Sequence, residues 1–133
     1  MRNVVWRQFA KNHQNEQLIN ATMAMTKPLW ARRQLYHSAV SRIYNNGCVS
    51  AAELRAMMPQ GKSYEEDYSR YVNEWMTDNI GKQWFKRSEE RYDEELNCWV
   101  AWYVLNIECE AANEPYPPMM AIREEINQYF SQF

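Results

Sequence analysis

The chain contains little glycine and little cysteine. Three glycines and five prolines among 133 residues leave too few turn formers for the many loops of an all-β fold. The three cysteines, Cys48, Cys98 and Cys109, are odd in number and widely spaced. That argues against a disulfide framework and against paired zinc ligands. We therefore expect free thiols in a reducing compartment.

Long apolar runs are also absent from the sequence. No stretch approaches the roughly 20 residues that a membrane-spanning helix requires, and residues 1–8 (MRNVVWRQ) lack the apolar core of a signal peptide. These absences predict a soluble, cytoplasmic protein. The length of 133 residues, without an internal repeat or a linker, predicts one domain over 1–133.

Sequence signatures of catalysis are missing. His13 and His37 are isolated, and the chain has neither a glycine-rich phosphate loop nor a Glu-x-x-His pair. Nothing in the sequence pairs a nucleophile with a base. The sequence therefore predicts a protein that is not an enzyme and uses no metal and no cofactor.

Aromatic residues are abundant, with six Trp, nine Tyr and four Phe, and most follow a helical spacing. The spacing and the capping residues predict an all-α fold, a compact bundle of five to six helices. The predicted helices cover 3–24, 27–46, 50–58, 64–78, 88–107 and 119–133, and a short strand or loop covers 80–87. Capping boxes at 50–53 and 63–66 begin two of these helices, Asn45-Asn46-Gly47 ends the helix at 27–46, and Ser88 caps the helix at 88–107. The apolar stripe of the helix at 88–107 includes Tyr92, Leu96 and Trp99, and the stripe of the last helix consists of Ile122, Ile126, Tyr129, Phe130 and Phe133. A β-hairpin is the alternative for 88–107, because Trp, Val and Tyr also favour strands.

Residues 27–79 outline a tri-helical, helix-turn-helix-like core. The segment IYNNGCVSAAEL at 43–54 resembles the loop that leads into the second helix of many winged-helix regulators. That resemblance implies a recognition helix at 64–78 and a wing at 84–87. The implied recognition helix carries five acids against Arg70 alone, which opposes insertion between DNA phosphates. We therefore expect the chain to resemble winged-helix regulators in structure only, without recognition of a DNA sequence by this helix.

Charge is distributed unevenly along the chain. Residues 1–52 carry seven Lys or Arg against one acid, residues 53–87 balance at six against six, and residues 88–133 carry two against ten. The net charge of −2 therefore conceals a basic beginning and an acidic end. Such polarity predicts electrostatic steering toward a charged partner.

The leading hypothesis is a binding protein that docks on a protein or ribonucleoprotein partner. It would act as a small inhibitor or adaptor of a nucleic-acid-handling machine, as some acidic proteins of mobile genetic elements do. Trp84 and Phe85 are the first candidates for exposed aromatic anchors, with the alternative that Trp84 folds back to close the bundle. Tyr116 is the second candidate anchor. The full set of predicted partner contacts is Trp84, Phe85, Lys86, Arg87, Glu89, Glu90, Glu94 and Tyr116.

Two alternatives remain open at this stage. The first is a DNA- or RNA-binding protein that uses its basic N-terminal helices, with aromatic residues available for base stacking. Its predicted contacts are Arg7, Lys27, Arg32, Arg33 and Arg42. The second is a homodimer in which the basic end of one subunit meets the acidic end of the other.

Overall fold

The computed structural model describes residues 27–59, 67–107 and 117–133. These residues form four α-helices and one three-stranded antiparallel sheet. In chain order the elements are α1 (Lys27–Asn46), β1 (Val49–Ser50), α2 (Ala51–Met57), α3 (Val72–Thr77), β2 (Phe85–Asp93), β3 (Cys98–Leu105) and α4 (Met119–Phe130). Short 3₁₀ turns cover Tyr68–Tyr71 and Gly81–Gln83. The helix predicted at 3–24 and the capping box predicted at 63–66 lie outside the described residues.

The prediction of an all-α bundle is wrong, because a β-hairpin occupies most of the predicted helix at 88–107. Strands β2 and β3 pair from Phe85 with Leu105 to Asp93 with Cys98. Ser88, predicted as a helix cap, lies instead at an irregularity in this ladder. The physical reason is a period of two: Ala101, Tyr103 and Leu105 all point into the core, as alternate residues of a strand do.

The hairpin turn is built by local hydrogen bonds. Oδ1 of Asp93 accepts hydrogen bonds from the backbone N–H groups of Glu95 (2.9 Å) and Leu96 (3.0 Å). Asn97 has a φ of 54°, in the left-handed region that asparagine tolerates better than most residues. The side chain of Asp93 and the backbone of Asn97 therefore reverse the chain where a helix was predicted to continue.

The junction between α1 and α2 follows its predicted local chemistry. Gly47 has a φ of 85° and donates its N–H to the carbonyl of Ile43 at 2.7 Å, an arrangement typical of helix ends. Ser50 and Glu53 form the predicted capping box at the start of α2. Val49 and Ser50 also pair with Tyr103 and Trp102, which makes β3 the central strand.

The core is organised around Tyr36. Its ring lies 5.6 Å from that of Trp84, 5.5 Å from Phe85 and 5.9 Å from Phe130. Its hydroxyl donates to the carbonyl oxygen of Trp75 at 2.6 Å, and burial raises the pKa of this tyrosine well above its usual range. Helix α1 thereby joins α3, the base of the hairpin and α4 in one core.

The tri-helical core predicted at 27–79 is described only in part. Helices α1, α2 and α3 lie in this range, and residues 60–66 between the last two lie outside the described part. At the wing predicted for 84–87, Trp84 and Phe85 are buried, and Phe85 begins a strand of the hairpin. The fold is therefore a mixture of helices and an antiparallel sheet instead of an all-α bundle.

Candidate functional site

Three large apolar side chains are exposed at the end of the hairpin. Tyr92 is 47% exposed, Leu96 54% and Trp99 66%. Tyr92 and Trp99 are paired across the strands, and their rings meet edge to face with centroids 5.6 Å apart and an interplanar angle of 77°. We refer to residues 92–99 as the hairpin tip.

The strand geometry explains why these aromatic rings are exposed. Trp99 has the same parity as Ala101, Tyr103 and Leu105, so it lies on the face of β3 that covers the core. Those three residues are buried, whereas the hairpin extends beyond the helices at Trp99. The core-facing side of the sheet thus continues as an uncovered apolar surface at the hairpin tip.

Carboxylates surround this apolar surface. Residues 89–99 contain five acids, Glu89, Glu90, Asp93, Glu94 and Glu95, against Arg91 alone. Glu94 and Glu95 are exposed, and neither forms an ion pair with another described residue. The hairpin tip therefore presents apolar area within a negative field.

Two cations of the hairpin, Arg87 and Arg91, form ion pairs along the strands. Arg87 binds Glu90 at 2.8 Å. Arg91 binds Glu89, and this hydrogen bond lowers the pKa of the Glu89 carboxyl. The guanidinium of Arg91 also lies over the ring of Trp102, 4.2 Å from its centroid. These contacts leave the excess negative charge concentrated toward the turn.

The residues predicted to contact a partner fall into two groups in the structure, one buried and one exposed. Trp84 and Phe85 are only 2% and 1% exposed, so the prediction that they are exposed anchors is wrong. They begin the hairpin where it leaves the core, and burial against Tyr36 stabilises them there. The remaining described contacts are exposed along the hairpin: Lys86, Arg87, Glu89, Glu90 and Glu94. Tyr116 lies outside the described residues.

The sequence pattern did not identify Tyr92, Leu96 and Trp99 as site residues. A helical period places all three on the buried face of the helix predicted at 88–107. The sequence signal that identifies them is the period of two of a β-strand, in place of the helical period. A period of two aligns Trp99 with Tyr103 and Leu105, and the sequence Asp-Glu-Glu-Leu-Asn before Cys98 is rich in turn-forming residues.

The basic residues proposed for nucleic-acid binding do not form a common surface. Arg32 donates to Asp78 at 2.8 Å and lies over the ring of Trp75. Arg33 is 2% exposed and donates to Asn127 at 2.7 Å. Lys27 and Arg42 are exposed at opposite ends of α1, and Arg7 lies outside the described residues. The structure therefore uses Arg32 and Arg33 for internal contacts.

We expect Arg32→Gln to lower the free energy of unfolding by about 2 kcal/mol, because it removes a partly buried ion pair and a cation–π contact. Arg42→Gln is the matched control, since Arg42 lies exposed on the same helix. It should change stability by less than about 0.5 kcal/mol. Urea denaturation followed by circular dichroism measures both; equal effects would contradict a structural role for Arg32.

Comparisons with known proteins give no match: no family model, curated protein or solved structure is similar to this chain. None of the helices within 27–59, 67–107 and 117–133 is long and apolar enough to span a membrane. In the same ranges, no three His, Cys, Asp or Glu side chains cluster as metal ligands would. Function is therefore inferred from the chemistry of the hairpin tip.

Proposed function

We propose that this chain is a non-enzymatic binding protein that docks through its hairpin tip on a basic surface of a protein or ribonucleoprotein partner. The observation that carries the proposal is the exposure of Tyr92, Leu96 and Trp99 within a segment rich in carboxylates. Exposed apolar patches rimmed by polar groups are typical of interaction sites. Trp and Tyr are the residues most enriched among energetically dominant interface contacts, together with Arg.

The two kinds of side chain supply different parts of the binding. Burial of Trp99 and Tyr92 against a partner supplies affinity, with about 2 kcal/mol or more expected from a central aromatic anchor. The carboxylates of Glu94 and Glu95 attract a basic surface from a distance and raise the association rate. An apolar pocket flanked by Lys or Arg is the complementary surface.

The turn is already ordered for docking. Asp93 holds the backbone of Glu95 and Leu96, and the Tyr92 hydroxyl donates to Oδ1 of Asn97. The Tyr92 ring also contacts Trp99 edge to face. These contacts fix the anchors before binding, which reduces the conformational entropy lost in the complex.

Inhibition or recruitment of a nucleic-acid-handling machine is the role that this chemistry supports best. Such machines bind phosphates through basic grooves, and an acidic surface with apolar anchors is suited to occupy one. A nucleic-acid-binding role has less support, because Arg32 and Arg33 make internal contacts.

Affinity capture from extracts of the source cells tests the proposal, with three immobilised baits. They are the wild-type chain, Trp99→Ser, and Met120→Ser as the matched control. Met120 is 63% exposed on α4, so both variants remove a comparably exposed apolar side chain. We expect a partner with a basic surface to be retained by the wild type and by Met120→Ser and lost by Trp99→Ser, after nuclease treatment.

Three outcomes would contradict this function. Equal retention by Trp99→Ser and the wild type would show that the hairpin tip is not the docking surface. Retention that nuclease abolishes, with direct binding of the purified chain to DNA or RNA, would favour the nucleic-acid alternative. If the one protein that is retained by the wild type and lost by Trp99→Ser is a second copy of this chain, the result would favour the homodimer.

A further inference from the structure

A polar cleft of about 520 Å³ lies between α1 and α4, away from the hairpin tip. Its volume is within the range of small-molecule sites, about 300–1,000 Å³. The polar side chains that matter to its chemistry are Arg33, Gln34, His37, Ser41, Arg123 and Asn127. The cleft thus combines two guanidinium groups with several hydrogen-bonding neutral groups.

A chain of hydrogen bonds fixes these side chains. Oδ1 of Asn127 accepts from Arg33 at 2.7 Å and contacts Nε2 of His37 at 2.9 Å. Arg123 lies 3.3 Å from Nδ1 of His37 and donates through its other terminal nitrogen to Ser41. Because a guanidinium can only donate, Nδ1 of His37 accepts and Nε2 carries the proton. His37 is therefore the neutral Nε2–H tautomer.

The positive charge in this cleft is poorly compensated at Arg123. Its guanidinium contacts the neutral groups of His37 and Ser41 and forms no ion pair with a carboxylate among the described residues. Burial, together with the charges of Arg33 and Arg123, lowers the pKa of His37 to about 4. Among the described residues that line the cleft, Glu124 is the one carboxylate, and it is exposed.

We propose that the cleft between α1 and α4 binds a phosphate-type oxyanion, either inorganic phosphate or the phosphate group of a small phosphomonoester. Arg123 and Ser41 would donate hydrogen bonds to it, with the positive charge of Arg33 behind them. A guanidinium matches the oxygens of phosphate in a bidentate geometry and remains charged at any physiological pH. The cleft volume exceeds that of a phosphate group, which leaves room for an attached organic group.

Binding of this anion has a predictable effect on the fold and on His37. An oxyanion held by groups of both helices stabilises the folded chain in proportion to its concentration. Its negative charge also favours the imidazolium form, so the pKa of His37 should rise in the complex. Among the described residues, the charges that act on His37 are those of Arg33 from α1 and Arg123 from α4, and Glu124 of α4 lines the same cleft.

Isothermal titration calorimetry with inorganic phosphate, against sodium chloride at equal ionic strength, tests the proposal. We expect one phosphate per chain in the wild type and binding at least about tenfold weaker in Arg123→Gln. Arg42→Gln is the control, because Arg42 is exposed on α1 and does not line the cleft. A parallel titration with adenosine monophosphate distinguishes the two ligands. If adenosine monophosphate binds more tightly than inorganic phosphate, the ligand is a phosphomonoester; if the two bind equally, the ligand is the free anion.

Histidine NMR titration gives an independent readout, in which phosphate raises the pKa of His37. Should Arg123→Gln fail to fold, Ser41→Ala removes one donor and should still weaken binding. Phosphate that binds no better than chloride, or an equal loss in Arg42→Gln and Arg123→Gln, would overturn the proposal. Trp99→Ser should leave phosphate binding unchanged, so the outcome is separate from that of the hairpin tip.

Discussion

Trp84→Ala is expected to lower the free energy of unfolding by about 4 kcal/mol. Trp84 is 2% exposed, and its ring packs on Tyr36 and Tyr129 with centroids 5.6 and 5.8 Å away. Alanine would leave a cavity where α1, α4 and the hairpin meet. Because a domain is stable by only about 5–15 kcal/mol in total, this variant should be close to unfolding at ambient temperature. Urea denaturation followed by circular dichroism measures the change.

Trp99→Ala is the matched control for this measurement. It removes the same side chain from the same hairpin at a position that is 66% exposed, and it should change the free energy of unfolding by less than about 1 kcal/mol. If Trp84→Ala were as stable as Trp99→Ala, Trp84 would not belong to the core, and its original interpretation as a surface anchor would return.

The affinity of Trp99→Ala for the tip-dependent partner is expected to be about 100-fold below that of the wild type. This corresponds to about 2.7 kcal/mol, within the range found for central aromatic anchors. The loss should lie mainly in a faster dissociation rate, because the removed contact forms only in the complex. Biolayer interferometry with the purified partner measures both rate constants.

The carboxylates of the hairpin tip should act differently from the aromatic anchors. Replacing Glu94 and Glu95 together by Gln should slow association at low salt, and the difference from the wild type should shrink as salt screens the field. Met120→Ala is the apolar control and should bind as the wild type does. An association rate that is independent of both salt and these two glutamates would contradict steering by the hairpin tip.

Local signals in the sequence predicted local structure well. Ser50 with Glu53 and the left-handed Gly47 mark the junction of α1 and α2 as predicted. Ile122, Ile126 and Phe130 of the predicted stripe of α4 are buried, whereas Phe133 at its end is 51% exposed. Each of these features is decided by residues within about one or two helical turns, so the chain carries the necessary information nearby.

The hairpin is the alternative prediction for 88–107 and not the leading one, because the apolar pattern of its second strand is ambiguous. The segment 98–105, Cys-Trp-Val-Ala-Trp-Tyr-Val-Leu, is apolar on nearly all sides and fits a buried helix or a central strand. In the structure this segment pairs along its length with Phe85–Asp93 and at two positions with Val49 and Ser50, about fifty positions earlier. A helix assignment takes no account of these partners. The same error placed Tyr92, Leu96 and Trp99 in the core and Trp84 and Phe85 on the surface.

The charge polarity of the sequence has a more specific meaning in the folded chain. Arg32 and Arg33, from the basic part, make internal contacts with Asp78 and Asn127. Glu94 and Glu95, from the acidic part, remain exposed around the apolar anchors. The docking surface that we propose therefore lies in the acidic part of the chain.

Site-specific photo-crosslinking tests docking through the hairpin tip most directly. A photoreactive amino acid would replace Leu96 in one chain and Met120 in another, because both side chains are highly exposed and they lie on different elements. In nuclease-treated extracts of the source cells, we predict a discrete adduct from position 96 with a protein that has a Lys- and Arg-rich surface, and none from position 120. The absence of an adduct at position 96, or the same adduct from both positions, would contradict docking through the hairpin tip.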